Sequence, residues 1–413
     1  MKGPFVDDEA FAKRLDEQDP LGRYRAEFEI PPRPDGEPSI YFNGNSLGLM
    51  PRTARAYVEQ ELDDWARLGV DGHFHGRTPW YTYQEVFRDS WARLVGAKPG
   101  EVVTMNSLTV NLHLMMATFY RPTVGRHSIL IEAEAFPSDT YAMRTQARHH
   151  GLDPDHSVIV AGADEIEPIL AERGEEIAVV MLGGVHYFSG RVLPMERIVE
   201  AGRRAGCIVG FDLAHAAGNV PLRLHDWDVD FAAWCTYKYL NAGPGAVAGC
   251  FVHERWGKDL SLPRLAGWWG NDPARRFRMH LEPEFVPHEG ADGWQLSNPP
   301  ILAMAPLRAS LELFDRAGIT ALRAKSVVLT GYLEWLLARV PGKPFEVITP
   351  SEAEARGCQL SLRVLDRPKE RFRTLEESGV IGDFREPDVI RLAPVPLYNT
   401  FHEVWRAARI LTG

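Results

Sequence analysis

The sequence predicts an α/β fold: a large unit built on a mostly parallel sheet with helices on both faces, followed by a smaller α+β unit. Two observations carry this. From about residue 53, helical periods alternate with short, nearly continuous apolar runs, namely EVVTM, SILIEA, SVIVAG, IAVVML, CIVGFD, FAAWCTY and GAVAGCFVH. Runs without polar alternation belong to strands buried on both faces, as in parallel sheets covered by helices. Beyond residue 300 the texture changes to two long helical stretches, then FEVIT, CQLSLRV, a charged helix, VIRLA and a final helix.

The elements follow in order. The first 45 residues or so are rich in proline and are expected to wrap back onto the second unit. TARAYVEQELDDWARLGV spaces Val58, Leu62, Trp65 and Leu68 along one helix face. Thr82 with Glu85 three residues later reads as a capping box opening the next helix, whose apolar face is Phe87, Trp91 and Leu94. The strand-like runs are then separated by helices such as LPMERIVEAGRRAG. The expected division is residues 46–300 for the large unit, with 1–45 and 301–413 forming the small one.

Composition narrows the function classes. The chain has 413 residues, of which 45% are hydrophobic and 25% charged, an ordinary globular balance. Its net charge of −10 argues against nucleic acid or an anionic membrane as partner, because both reward clusters of Lys and Arg. No apolar run reaches the ~18 residues of a spanning helix. The N-terminal stretch MKGPFVDDEAFAKRL is acidic and amphipathic, unlike a secretory signal. The cysteines, Cys207, Cys235, Cys250 and Cys358, lie far apart with no CxxC pair, which suits a reducing cytoplasm and offers no metal knuckle.

Chemistry in open parallel sheets gathers beyond the carboxyl ends of strands. CIVGFD puts Asp212 at one such end, and FAAWCTYK puts Lys238 just past the next. Singly, Asp212 is equally a cap for the following segment, and Lys238 equally a solvated strand-end lysine. Together they match the two needs of a pyridoxal-phosphate (PLP) enzyme: an amine for the Schiff base, and a carboxylate that keeps the pyridine nitrogen protonated. In MNSLTVNLHLMM a strand gives way to a helix at about Ser107 to Thr109, where free amides form a phosphate seat or an ordinary cap. AEAFPSD, also just past a strand, offers Phe136 for stacking on a flat ring, or for core packing, and Asp139 for hydrogen bonding.

Several segments taken in order resemble the kynureninase family: YFNGNSLGL, FPSD, GFDLAHAAGN, YKYLNAG, GWWG, SNPP and RLAPVPLYNTFHE. The resemblance runs from about Tyr41 to the last helix. It implies a PLP enzyme of fold type I with a seven-stranded sheet, a homodimer with shared active sites, and hydrolysis of L-kynurenine or its 3-hydroxy form. The products are L-alanine and an anthranilate, in tryptophan degradation or NAD biosynthesis.

Position by position, the resemblance implies that Lys238 bonds the cofactor and acts as base, and that Asp212 pairs with the pyridinium nitrogen near His215. Tyr237 bonds the phosphate and moves protons. Leu108 and Thr109 seat the phosphate, Phe136 stacks on the ring, and Asp139 supports it. Trp268 and Asn298 reach the phosphate or substrate from the other subunit. Arg391 clamps the substrate carboxylate, a task suited to its planar fork. His73, Trp269, Ser297 and Asn298 form the wall around the aryl group, where His73, otherwise a loop histidine, and Ser297 could meet a ring hydroxyl. Gly183 stands where some relatives have a serine, so it drops out of this set.

The rivals are weaker. A desulfurase needs a reactive cysteine on a mobile loop, whereas Cys358 opens an apolar alternating run. The aromatic-rich GWWG and HGRTPW suit an aryl substrate better than simple transamination. No GxGxxG follows an early strand, which argues against a nicotinamide enzyme.

Overall fold

The structure, a computed structural model, describes residues 4–412. Seven strands form the main sheet: β1 (Val102–Thr104), β2 (Ser128–Glu132), β3 (Val158–Ala161), β4 (Ile177–Gly183), β5 (Ile208–Asp212), β6 (Phe231–Trp234) and β7 (Gly249–Val252). Their spatial order is β1-β7-β6-β5-β4-β2-β3. Five strands, β6 through β3, run parallel, and β7 is antiparallel to both β1 and β6. Each expected run became a strand of this sheet, and all but β3 and the ends of β4 and β5 are buried throughout.

The strands are apolar on both sides because each face carries its own core. On one face Leu130, Val180, Val209, Phe211, Ala232 and Trp234 pack with Trp91, Ile198 and Val199. On the other, Ile129, Ile131, Val179, Met181, Phe231 and Ala233 meet Leu112, Met115, Met116 and Phe119 of helix α1 (Leu108–Phe119). Helix α2 (Pro137–His149) adds Ala142 and Met143 to that second core. No helix among the described residues is long and apolar enough to cross a membrane.

A second sheet contains β8 (Phe345–Val347), β9 (Leu360–Val364), β10 (Asp383–Arg385) and β11 (Val389–Leu392), in the order β8-β9-β11-β10, antiparallel throughout. Strand β10 was not foreseen, since DFR is too short and polar for a pattern. The N-terminal region meets this unit in two places. Asp16 of helix Glu9–Glu17 accepts from the Phe401 and His402 amides, capping helix Phe401–Thr412, and Ile40–Tyr41 pairs with Val380–Ile381. Ala12, Leu15, Ile40 and Phe42 join Leu333, Leu360, Ile390 and Val404 in one core. Helix Ile301–Ala317 instead sends Met304, Leu307, Leu311 and Phe314 into the core of the large sheet.

One local expectation fails. Thr82 makes no cap: Trp80–Phe87 is a 3₁₀ segment kinked at Thr82, the α-helix starts only at Arg88, and Glu85 pairs with Arg88 at 3.4 Å. The reason is tertiary, because Trp80 Nε1 and the Tyr83 hydroxyl are both drawn to Glu61, at 2.8 and 3.1 Å. Helix Ala54–Leu68 forms as expected, but its apolar face is turned outward. Its buried face is Ala54, Glu61 and Asp64, while Leu62 and Trp65 of the apolar face are 43% and 59% exposed. Glu61 and Asp64 are tolerable inside because Trp80, Tyr83 and the Arg77 guanidinium and amide satisfy them.

Candidate active site

A cavity opens beyond the carboxyl ends of β2, β4, β5 and β6. Its wall is made by Leu108, Thr109, Phe136, Asp139, Asp212, His215, Tyr237 and Lys238, all foreseen from the sequence, together with Ser107, Glu132, Gly183, Val185, Tyr187 and Ala214. The topology explains the convergence. Neighbouring parallel strands end on the same side, so the last residue of β5 and the turn after β6 project toward one ligand.

Asp212 is the final residue of β5, and its Oδ1 accepts from the Ala214 amide at 2.7 Å. Lys238 places its Nζ 3.1 Å from His215 Nε2 and 5.7 Å from the centre of the Phe136 ring. Burial pushes the His215 imidazole well below its usual range, and the Lys238 charge adds to the effect. A neutral His215 can therefore accept from the ammonium at Lys238. Burial, with Cys235 beside it, raises the Tyr237 phenol, so the hydroxyl keeps its proton.

Of the two helices that open on the cavity, α1 brings free amides, whereas α2 starts with Pro137 and bonds its Asp139 and Thr140 amides to the Phe136 carbonyl. Ser107 precedes α1 in extended conformation and makes no side-chain cap, leaving the first-turn N–H groups of α1 without intrahelical partners. Thr109 Oγ1 and Ser138 Oγ, in the first turns of α1 and α2, lie 3.2 Å apart, so the two positive helix ends meet at one spot. Asp139 is buried, and its Oδ1 has no hydrogen-bond partner. Burial raises its carboxyl far above the usual range, with Asp212 as the next cause.

The other expected residues do not line this cavity. Arg391 sits in β11, buried, with Nε on Asp383 Oδ1 at 2.8 Å and Nη1 on the Tyr187 carbonyl at 2.7 Å, one residue behind the wall. His73, Trp268 and Trp269 belong to a separate aromatic cluster. Ring centres lie 5.4 Å apart for His73–Trp80, 5.6 Å for Tyr81–Trp269 and 4.7 Å for Trp268–Trp269. Trp269 is 1% exposed and packs beneath the Arg276 guanidinium, which leaves it no free face for a ligand in this chain. Ser297 and Asn298 are exposed.

Of the residues the sequence reading missed, Glu132 is the most instructive. It ends β2 just as Asp212 ends β5, so the strand-end rule that selected Asp212 also applies to it. Tyr187 packs edge-on to Phe136 at 5.2 Å and had no pattern to mark it. All four cysteines are unpaired and buried; burial lifts the Cys358 thiol to about 12, and its amide is tied to Asn219 Oδ1. None is a nucleophile on an open loop.

Fold and cavity together define the class of PLP-dependent enzymes of fold type I. Solved structures with this architecture include C-DES with glycine covalently linked to its PLP cofactor (TM-score 0.77, 19% identity, covering 94% of this chain and 98% of that one). Another is the cysteine desulfurase CsdA of Escherichia coli (TM-score 0.76, 18% identity, 94% and 97% covered). At such identity the likeness is one of fold. Sequence relatives are far nearer. Kynureninases of Koribacter versatilis and Myxococcus xanthus are each 54% identical, over 97% and 99% of this chain and 96% and 98% of their own lengths. That of Xanthomonas euvesicatoria is 56% identical over 96% and 95%. Residues 322–411 match the kynureninase C-terminal domain model. The chain belongs to the kynureninase family.

Proposed function

We propose that this chain binds PLP at the Lys238 cavity and hydrolyses L-kynurenine, or its 3-hydroxy form, to L-alanine and the corresponding anthranilate. The observation that carries the reading is the convergence of Lys238, Asp212 and the free N-terminus of α1 on one cavity, with Ser138 of α2 beside it. The residues fit the cofactor. Lys238 is an amine for the aldehyde, the α1 terminus with the Thr109 and Ser138 hydroxyls offers donors for the phosphate, and Phe136 is an aromatic wall for the ring. Asp139, whose buried Oδ1 has no hydrogen-bond partner, lines the same cavity.

Bound there, PLP supplies an electron sink for charge released at the substrate α-carbon. The protein does the rest. Asp212, fixed by the Ala214 amide, keeps the ring nitrogen protonated. Lys238 would serve as the base at the substrate α-carbon, and neutral His215, 3.1 Å from its Nζ, would orient it without competing charge. Tyr237, protonated across the working range, moves a proton while water adds to the γ-carbonyl and the Cβ–Cγ bond breaks. Arg391, the expected clamp for the substrate carboxylate, is held behind Tyr187 by Asp383 and the Tyr187 carbonyl, so that role requires Tyr187 to move aside.

The wall around the aryl group is assigned to a second copy of the chain. Trp268, Asn298, Ser297 and His73 are absent from the cavity of their own chain. The apolar stripe of helix Ala54–Leu68 is turned to solvent, and a groove joins Val58 and Leu62 to Leu47 and Met50. A second copy covering this face buries the stripe and carries its own aryl-wall residues toward the first cavity. In that arrangement His73 and Ser297 are the groups able to meet a ring hydroxyl. The chain divides into a large PLP-binding unit from residue 46 and a small unit containing 1–45 and the C-terminal part. Helix Ile301–Ala317, just beyond the expected boundary at 300, packs into the large core. The unpaired buried cysteines suit a reducing, cytoplasmic setting.

The test is a spectrum of purified protein supplied with PLP, followed by addition of L-kynurenine. A cofactor band, then release of anthranilate and alanine, is the expected result. A band without cleavage moves the substrate elsewhere, and no band removes the cofactor assignment.

A further inference from the structure

Beyond Gly183, the end of β4, the chain forms a short hairpin closed by the Val185–Val192 bridge and turned at Gly190, whose φ is +74°. The Tyr187 side chain lines the cavity, but the hairpin's carbonyls are tied to the small unit. The Tyr187 carbonyl accepts from Arg391 Nη1 at 2.7 Å and from Gln359 Nε2 at 3.0 Å. The Phe188 carbonyl accepts from Ser361 Oγ at 2.5 Å and from the same Gln359 amide at 3.3 Å. The Ser189 carbonyl accepts from Thr349 Oγ1 at 2.6 Å.

Strand register explains why these donors converge. Gln359 immediately precedes β9, and Ser361, two residues on, returns to the same face of the sheet. Ser361 is the cross-strand partner of Arg391 in β11, which puts the guanidinium on that face as well. All three side chains are buried. Gln359 Oε1 accepts from Asn45 Nδ2 at 3.0 Å, so the amide turns its N–H groups to the hairpin.

The donor count decides what this arrangement does. Arg391 reaches a ligand in the cavity only by releasing the Tyr187 carbonyl. A buried carbonyl stripped of its last donor carries a full desolvation penalty, which would be charged against substrate binding. Here no carbonyl is stripped. The Gln359 amide has two hydrogens, enough for the Tyr187 and Phe188 carbonyls together, and Ser361 also serves Phe188. We propose that Gln359 is a positioning residue for the substrate carboxylate: it keeps the Tyr187 carbonyl bonded as that residue moves aside, and so frees Arg391 to turn to the cavity. The inference rests on the clamp role read for Arg391 above. Gln359 itself lies outside the cavity wall and acts through Tyr187 and Arg391.

The experiment measures steady-state kinetics of the PLP-loaded protein with L-kynurenine, and in parallel inhibition by the decarboxylated analogue of kynurenine, which makes no demand on Arg391. Gln359→Met fills similar space without amide hydrogens. Its KM should rise roughly ten- to hundredfold with kcat and the cofactor band little changed, while inhibition by the analogue stays as in the wild type. An unchanged KM, or equal weakening of both ligands, overturns the proposal. Ser361→Ala removes a bond from the same hairpin but leaves both carbonyls served by Gln359, so its KM should not move. A rise as large as that of Gln359→Met would mean that hairpin docking in general sets KM, and would also overturn it. Asn45→Ser frees the Gln359 amide to rotate; its KM should rise roughly threefold. No rise there counts against the assignment even if Gln359→Met fails to fold. A wild type that binds substrate and decarboxylated analogue equally well would instead remove the clamp role of Arg391, and this inference with it.

Discussion

The Lys238 cavity and the His73–Trp268 aromatic cluster hold residues of one expected site, yet they are built in opposite ways. The cavity is assembled from strand ends and helix starts of a single sheet, so backbone geometry alone brings Asp212, Lys238 and the α1 terminus together. The cluster is made of loop and 3₁₀ segments that pack on one another through Tyr81, Trp80 and Phe277, with Phe74 and Phe277 more than half exposed. One region is complete within the chain. The other leaves apolar area exposed, which the proposed second copy would cover. The contrast suggests a division of labour in which each chain holds its own cofactor and the pair together shapes the substrate wall.

The largest effect expected is at the cavity. Lys238→Ala should lower turnover by at least about 10³-fold, since it removes both the amine and the base; single-turnover assays on the variant check this. Activity within tenfold of wild type would place the base elsewhere. Next comes Tyr237→Phe, which should retain PLP but lose about 10²-fold in kcat. Near-normal kcat would exclude its proton-moving role.

A third prediction tests the aromatic side of the contrast. Trp65→Glu puts a charge into the exposed apolar stripe of helix Ala54–Leu68 and touches nothing in the chain's own cavity. It should weaken self-association by roughly 100-fold, read by sedimentation, and lower kcat/KM while the cofactor band survives. If association is unchanged, the stripe is not the interface. The smallest effect is expected for His73→Ala. Losing one hydrogen bond of about 1 kcal/mol should reduce kcat/KM for 3-hydroxykynurenine about fivefold relative to kynurenine. Equal losses on both substrates would take His73 out of the ring-hydroxyl contact.

Helix Ala54–Leu68 shows where pattern reading stops. Its periodicity is correct and the helix forms, but the stripe of Leu62 and Trp65 points outward while Glu61 and Asp64 point in. Periodicity identifies an apolar face without saying whether the molecule's own core or another copy covers it. Likewise, Thr82 and Glu85 have the spacing of a capping box, but Glu61, more than twenty residues earlier, captures Trp80 and Tyr83 and kinks the backbone before a cap can form.

The sequence by itself determined the sheet, its mostly parallel sense and the strand-end positions of Asp212 and Lys238. These depend on local burial and on the single direction in which parallel strands end. Only the tertiary structure revealed the Gly183 amide on Glu132 and the turn of Arg391 onto Asp383 and Tyr187, although the strand-end position of Glu132 was itself legible. Those contacts join residues tens to hundreds of positions apart, and their energies depend on burial and on neighbouring charges that no local spacing encodes.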